Sequence, residues 1–183
     1  TGTDINGLNI GNIGITSADT VTASGLVNNG HINIAGSVAA QSTLNVTSVA
    51  GFGTAGVETG SVYLQRNALL QFASGQIATI NGQLFLDGAN ARIAVAGATT
   101  TNSALVGLQA VVGDLQLLNG ASVGATSGGL SILGAGRVGL DANYIGGAGG
   151  SSLTIGGVLT NTSTDVNALN IGNVGITSAN TVT

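Results

Sequence analysis

The chain contains no cysteine, proline, methionine, tryptophan or lysine, and only 5% of its 183 residues are charged. In ordinary globular chains about a quarter are. Without cysteine there is neither a disulfide framework nor a thiolate metal site. A cysteine-free chain also suits export in the unfolded state through a narrow pore, where a premature disulfide would block passage. Without proline, no strand position lacks a ladder donor. The cations Arg66, Arg92 and Arg137 stand against Asp4, Asp19, Glu58, Asp87, Asp114, Asp141 and Asp165, for a net charge of −4. So thin a spread of cations argues against nucleic acid as a partner, because that binding rests on clustered Lys and Arg. No run of eighteen uninterrupted apolar residues occurs; the richest stretch, residues 103–118, is broken by Gly107, Gln109, Gly113 and Asp114, so no membrane span is expected. No basic region followed by an apolar run opens the segment, which places any export signal outside it.

What the chain does have is glycine, 32 residues of it, together with abundant Ala, Val, Ile and Leu. Disordered chains rich in Gly, Ser, Thr and Asn are poor in apolar residues; this one can bury a core.

A long internal repeat organises the sequence. Residues 1–22 read TGTDINGLNIGNIGITSADTVT and residues 162–183 read TSTDVNALNIGNVGITSANTVT, identical at 17 of 22 positions with an offset of 161. The changes Gly2/Ser163, Ile5/Val166, Gly7/Ala168, Ile13/Val174 and Asp19/Asn180 are all small or isosteric. Residues 1–161 thus form one long repeat, and 162–183 begin the next.

Inside that repeat a triplet recurs in which two apolar residues flank any third. It is seen at Leu8-Asn9-Ile10, Ile32-Asn33-Ile34, Leu44-Asn45-Val46, Val62-Tyr63-Leu64, Leu84-Phe85-Leu86, Ile93-Ala94-Val95, Leu115-Gln116-Leu117, Val138-Gly139-Leu140, Leu153-Thr154-Ile155 and Leu169-Asn170-Ile171. Alternation at period two marks short strands with one buried face. Between triplets lie Asn29-Gly30, Asn81-Gly82, Asp87-Gly88 and Asn119-Gly120, residues that tolerate the positive φ of tight corners. Such dipeptides also make hairpins, so an antiparallel sandwich is the alternative. Strands of three to five residues are short for a sandwich, and few aromatics are present to fill one. A single right-handed parallel β-helix packed with aliphatic residues needs none. Stacking also accounts for the missing charge, since like charges would repel at a strand spacing of about 4.8 Å. With roughly 18 to 24 residues per rung, the 161-residue repeat is expected to make about seven to nine rungs and about 32 to 43 Å of axial length.

The runs GLVNNGHINIAG at 25–36 and SLTIGGVLTN at 152–161 resemble the repeats of bacterial autotransporter passengers and filamentous-haemagglutinin-like exoproteins. The resemblance covers essentially the whole chain through loose motifs. It implies a right-handed parallel β-helix, secretion across an outer membrane and an adhesive or scaffold role, and it carries over no catalytic residue.

Candidate chemistry is sparse. His31 is the only histidine, so a Ser-His-Asp arrangement would have to use it; its place at the start of a strand reads as an outward rung position. Carbohydrate chemistry on a β-helix needs paired carboxylates, or carboxylates with a metal. The nearest combinations, Asp87 with Arg92 and Arg137 with Asp141, each hold one carboxylate and one cation, and read as surface ion pairs across corners. Gly146–Gly150 resembles calcium-binding glycine-rich repeats without the aspartate they require, and reads as a corner. Thr1/Thr3, Thr20/Thr22 and Thr99–Thr101 raise an ice-binding solenoid, which would need a threonine pair on every rung. No catalytic, cofactor or metal site is therefore assigned. The expectation is a non-enzymatic segment of a secreted bacterial surface adhesin or extracellular fibre, with a carbohydrate-active or ice-binding solenoid as the alternatives. Expected partners are further copies of the repeat stacked end to end, in the same chain or neighbouring subunits, together with cell-surface or matrix ligands. Adhesion, aggregation and biofilm or filament assembly are the matching roles.

Overall fold

The computed structural model describes residues 7–142 and 148–183. Every pairing between its strands is parallel. The chain is an all-β solenoid of about seven turns. The only helical piece among the described residues is a single 3-10 turn, Ser103–Leu105.

Seven of the ten apolar triplets form one sheet. Its strands are Gly7–Gly11, His31–Ala35, Ser61–Gln65, Gln83–Asp87, Asp114–Leu118, Arg137–Leu140 and Leu169–Ile171, in that spatial order. The register carries Leu8 onto Ile32, Val62, Leu84, Leu115, Val138 and Leu169, and it carries Ile10 onto Ile34, Leu64, Leu86, Leu117, Leu140 and Ile171. Both outer positions of each triplet therefore point inward and stack on their own kind, and from Ile32 to Leu140 these side chains are buried. Two further faces complete each turn. One is a four-strand sheet built on Asp19–Ala23, Ser42–Val49, Ala68–Ser74 and Arg92–Val95, continued by three short strands at Ser122–Val123, Ser152–Leu153 and Thr181–Val182. The other runs through Val57–Glu58, Thr79–Ile80, Ala110–Val111, Leu130–Gly134 and Leu159–Ser163. Aliphatic side chains fill the interior, joined by one aromatic pair, Phe52 and Phe72, whose rings meet edge to face at 5.8 Å.

The turns are wider than the triplet spacing suggests. Successive steps down the Leu8 column take 24, 30, 22, 31, 23 and 31 residues. Long turns alternate with short ones because some corners carry extra chain. One such insertion is the bend at 50–56, closed by an antiparallel bridge between Gly51 and Ala55. Another is the segment around Ser103–Leu105. There Asn102 and Ser103 take the place of a strand: Asn102 Oδ1 accepts from the Ile93 amide (2.8 Å), its Nδ2 donates to the Ser122 carbonyl (2.7 Å), and Ser103 Oγ accepts from the Val95 amide (2.9 Å). Side chains thus bridge the second face where its ladder is interrupted. As a consequence Leu8 and Leu169, 161 residues apart, are six strand steps apart, about 29 Å at about 4.8 Å per step. That is shorter than the 32 to 43 Å expected from narrower rungs.

Corners need unusual backbone. Gly36 sits where a Cβ would run into the Asn67 carbonyl oxygen of the next turn, so no other residue fits without displacement. At the end of the first sheet's strands the chain turns through positive φ, at Gly11, Gly88 and Gly172 but also at Arg66 (φ 56°), Asn119 (φ 54°) and Asp141 (φ 51°). Asn and Asp accept that conformation readily; arginine does not.

Candidate functional site

Residues adjacent in sequence turn out to matter less here than residues one turn apart. Neither expected ion pair forms. Asp87 instead accepts from the Tyr63 hydroxyl (2.7 Å) and from Asn119 Nδ2 (2.6 Å), on the turns before and after it, while Arg92 donates to Asn90 Oδ1 (2.7 Å). Arg137 reaches back to Asp114 (2.8 Å) and lies 4.0 Å from Asp165 on the following turn. Its sequence neighbour Asp141 is fully buried and accepts from the Asn119 amide (2.7 Å) through Oδ1. The physical reason is the stacking itself: register sets Arg137 beside Asp114, whereas Asp141 follows at a corner that turns away.

The other singled-out residues are equally dispersed. His31 begins its strand, exposed, between Gly7 and Ser61. Thr20 leads a column that continues Thr43, Leu69 and Arg92, and Thr22 one that continues Asn45, Gln71 and Ala94, so the second face carries no threonine row. Thr1 and Thr3 lie outside the described residues, as do Gly146 and Gly147; Gly149 and Gly150 adopt positive φ. Among the described residues no group of three or more His, Cys, Asp or Glu side chains is placed to hold a metal. No described helix is long and apolar enough to cross a membrane.

What the outer surface does contain is a set of polar ladders running along the axis. Asn33 donates to Asn9 (3.4 Å) and Gln65 to Asn33 (2.9 Å); Gln71 donates to Asn45 (3.1 Å), and Ser152 to Ser122 (2.8 Å). Within one strand the buried Gln116 donates to the buried Asp114 (2.6 Å), and it lies over Gly139 of the next turn, where a Cβ would collide with it. Each rung is thus tied to its neighbours by side chains as well as by backbone. Asn9, Asn33 and Asn45 sit at the centres of triplets, whereas Gln65, Gln71, Ser122 and Ser152 lie outside them, so the triplets signal only part of this.

At either end of the stack, some inward-facing residues lose their cover, although Ile10 stays buried. Leu8 is 42% exposed and Val21 39% at one end; Leu159, Leu169 and Ile171 are 36%, 36% and 47% exposed at the other. Their equivalents one turn inward are buried.

One interior residue departs from the apolar pattern. Glu58 occupies an inward column that continues Ile80, Val111 and Ile132, and it is fully buried. Its Oε2 accepts from the Gly82 amide (3.1 Å), and Oε1 has no partner. Burial pushes its pKa from 4.5 up to about 7, against the opposing pull of the Gly82 hydrogen bond.

No family model matches the chain, and neither a curated protein nor a solved structure matches it. The class that the coordinates define is accordingly a repetitive parallel β-solenoid.

Proposed function

We propose that the chain is a stiff spacer segment of a longer, secreted bacterial surface fibre or adhesin, and that it acts by its length and surface and not by catalysis. The observation that carries this reading is the coincidence of sequence repeat and structural repeat. An offset of 161 residues corresponds to a whole number of turns, with Leu8 and Leu169 in the same column, Asn9 and Asn170 in the next, and Ile10 and Ile171 in a third. Repetition of the sequence can therefore extend the stack without a change of register. The uncovered apolar residues at both ends support end-to-end stacking of further repeats, since open rungs template more strand. Axial amide ladders and a nearly uncharged exterior support a structure meant to be long.

Antibodies raised against the purified chain and imaged with gold on intact, unpermeabilised cells that make the full-length protein test the proposal. Label standing off the cell surface along filaments is the expected result. Label that appears only after lysis would overturn it.

A further inference from the structure

We infer that the groove at the corner between the first and second faces, spanning three turns, binds an oxyanion, the carboxylate or sulfate of an acidic saccharide. The groove, about 310 Å³, is lined by Ser37 and Val38 on one turn, Arg66 and Asn67 on the next, and Ala89 and Asn90 on the third. At the strand spacing these turns span about 10 Å, room for one or two sugar rings. The inference stands whether or not the chain is a spacer.

Three observations carry it. First, the groove's polar rim offers donors. Asn67 Oδ1 is taken by Gln41 Nε2 (3.1 Å), and Asn90 Oδ1 by the Arg92 guanidinium (2.7 Å). Ser37 Oγ accepts from the Ala39 and Ala40 amides, each at 3.0 Å, and gives its own proton to the Ile15 carbonyl. For the Nδ2 of both asparagines and for the guanidinium of Arg66 no described residue supplies an acceptor. Each asparagine oxygen already accepts one hydrogen bond while these donors have no acceptor, so the rim favours a ligand rich in acceptors.

Second, charge converges there. Of three cations in the chain, Arg137 is paired with Asp114, while Arg66 lines the groove and Arg92 is held at its edge by Asn90. Neither Arg66 nor Arg92 is engaged in an ion pair with a described carboxylate: Asp87, on the neighbouring turn, directs its two oxygens to Tyr63 and Asn119, and Asp19 lies at the start of its strand, one turn before Ser42. A guanidinium fork matches a carboxylate or sulfate in two-point geometry.

Third, Arg66 stands where the fold does not want it. Its φ of 56° is glycine's conformation, and the neighbouring turn places Gly88 against it. Backbone held in this conformation by a bulky residue clusters at ligand-binding positions. Beside it Val38, 94% exposed, gives an apolar wall for the face of a sugar ring.

Titration calorimetry and saturation-transfer NMR with three probes test the site: a trigalacturonate, a sulfated disaccharide and a neutral trigalactoside. Binding of at least one anionic probe in the micromolar to millimolar range is expected, with no binding of the neutral one and weakening as salt rises. Which anionic probe is preferred distinguishes carboxylate from sulfate. Arg66→Gly suits the backbone and should leave the melting temperature unchanged or higher while reducing affinity at least tenfold; Arg92→Gln should reduce it several-fold. Equal binding of the neutral probe, no binding of either anion at 10 mM, or full affinity in folded Arg66→Gly would each overturn the inference.

Discussion

Glu58 should make the solenoid less stable as pH rises, the reverse of what a paired surface carboxylate does. Its pKa is raised to about 7 from an ordinary 4.5 because the side chain is buried beside Ile80 with one hydrogen bond and no cation. Below pH 4.5 both folded and unfolded chains carry the proton. Between 4.5 and 7 the unfolded chain ionises while the folded one holds its proton, so unfolding releases a proton and stability falls with each step in pH. Above 7 the folded chain also ionises and the loss is complete. At about 1.4 kcal/mol per pH unit, the loss across the window is up to about 3 kcal/mol. For a chain of this size that corresponds to a fall in melting temperature of about 6 to 12 °C. Calorimetric melts from pH 4 to 8 of the native chain and of Glu58→Gln provide the assay. The variant keeps the volume and an acceptor for the Gly82 amide but cannot titrate. Subtracting its curve removes every other acid from the comparison. Two superimposable curves, or a native chain that gains stability between pH 4.5 and 7 relative to the variant, would rule out a buried Glu58 with a raised pKa.

Two further perturbations separate the middle of the stack from its ends and its surface. Leu84→Ala, in the closed interior, should cost about 2 to 5 kcal/mol, whereas Leu169→Ala, at a position already 36% exposed, should cost a small fraction of that; denaturant titrations of both variants decide it. Arg137→Gln removes the axial contacts to Asp114 and Asp165, and because the Arg137 side chain is 38% exposed the loss should stay below about 1 kcal/mol and shrink towards zero in 1 M salt.

The first sheet was legible in the sequence because its seven triplets place identical chemistry at identical positions, and period-two alternation has one physical meaning when both outer residues are aliphatic. Rung length was less legible. The extra residues at 50–56 and around Ser103–Leu105 interrupt the triplets without announcing which corner they belong to, and Asn102, which replaces a strand with its side chain, looks like any loop asparagine. Charge pairing was misread at Asp87 and Arg137 for a related reason. Partners in a stack lie 22 to 31 residues apart along the first face, so local spacing points to the wrong neighbour. The groove at Arg66 left no motif, because its members come from three turns and its one odd feature is a backbone angle.

Sequence repeat and axial repeat coincide in this chain. A chain in which residues 23–183 follow residues 1–183, so that the segment 162–183 serves as the shared first turn, allows that coincidence to be measured directly. Small-angle scattering and negative-stain imaging of this chain and of one extended once more should give a rod of constant cross-section that lengthens by about 29 Å per added repeat, six strand spacings of about 4.8 Å. Separate beads joined by linkers, or a particle that thickens instead of lengthening, would contradict it.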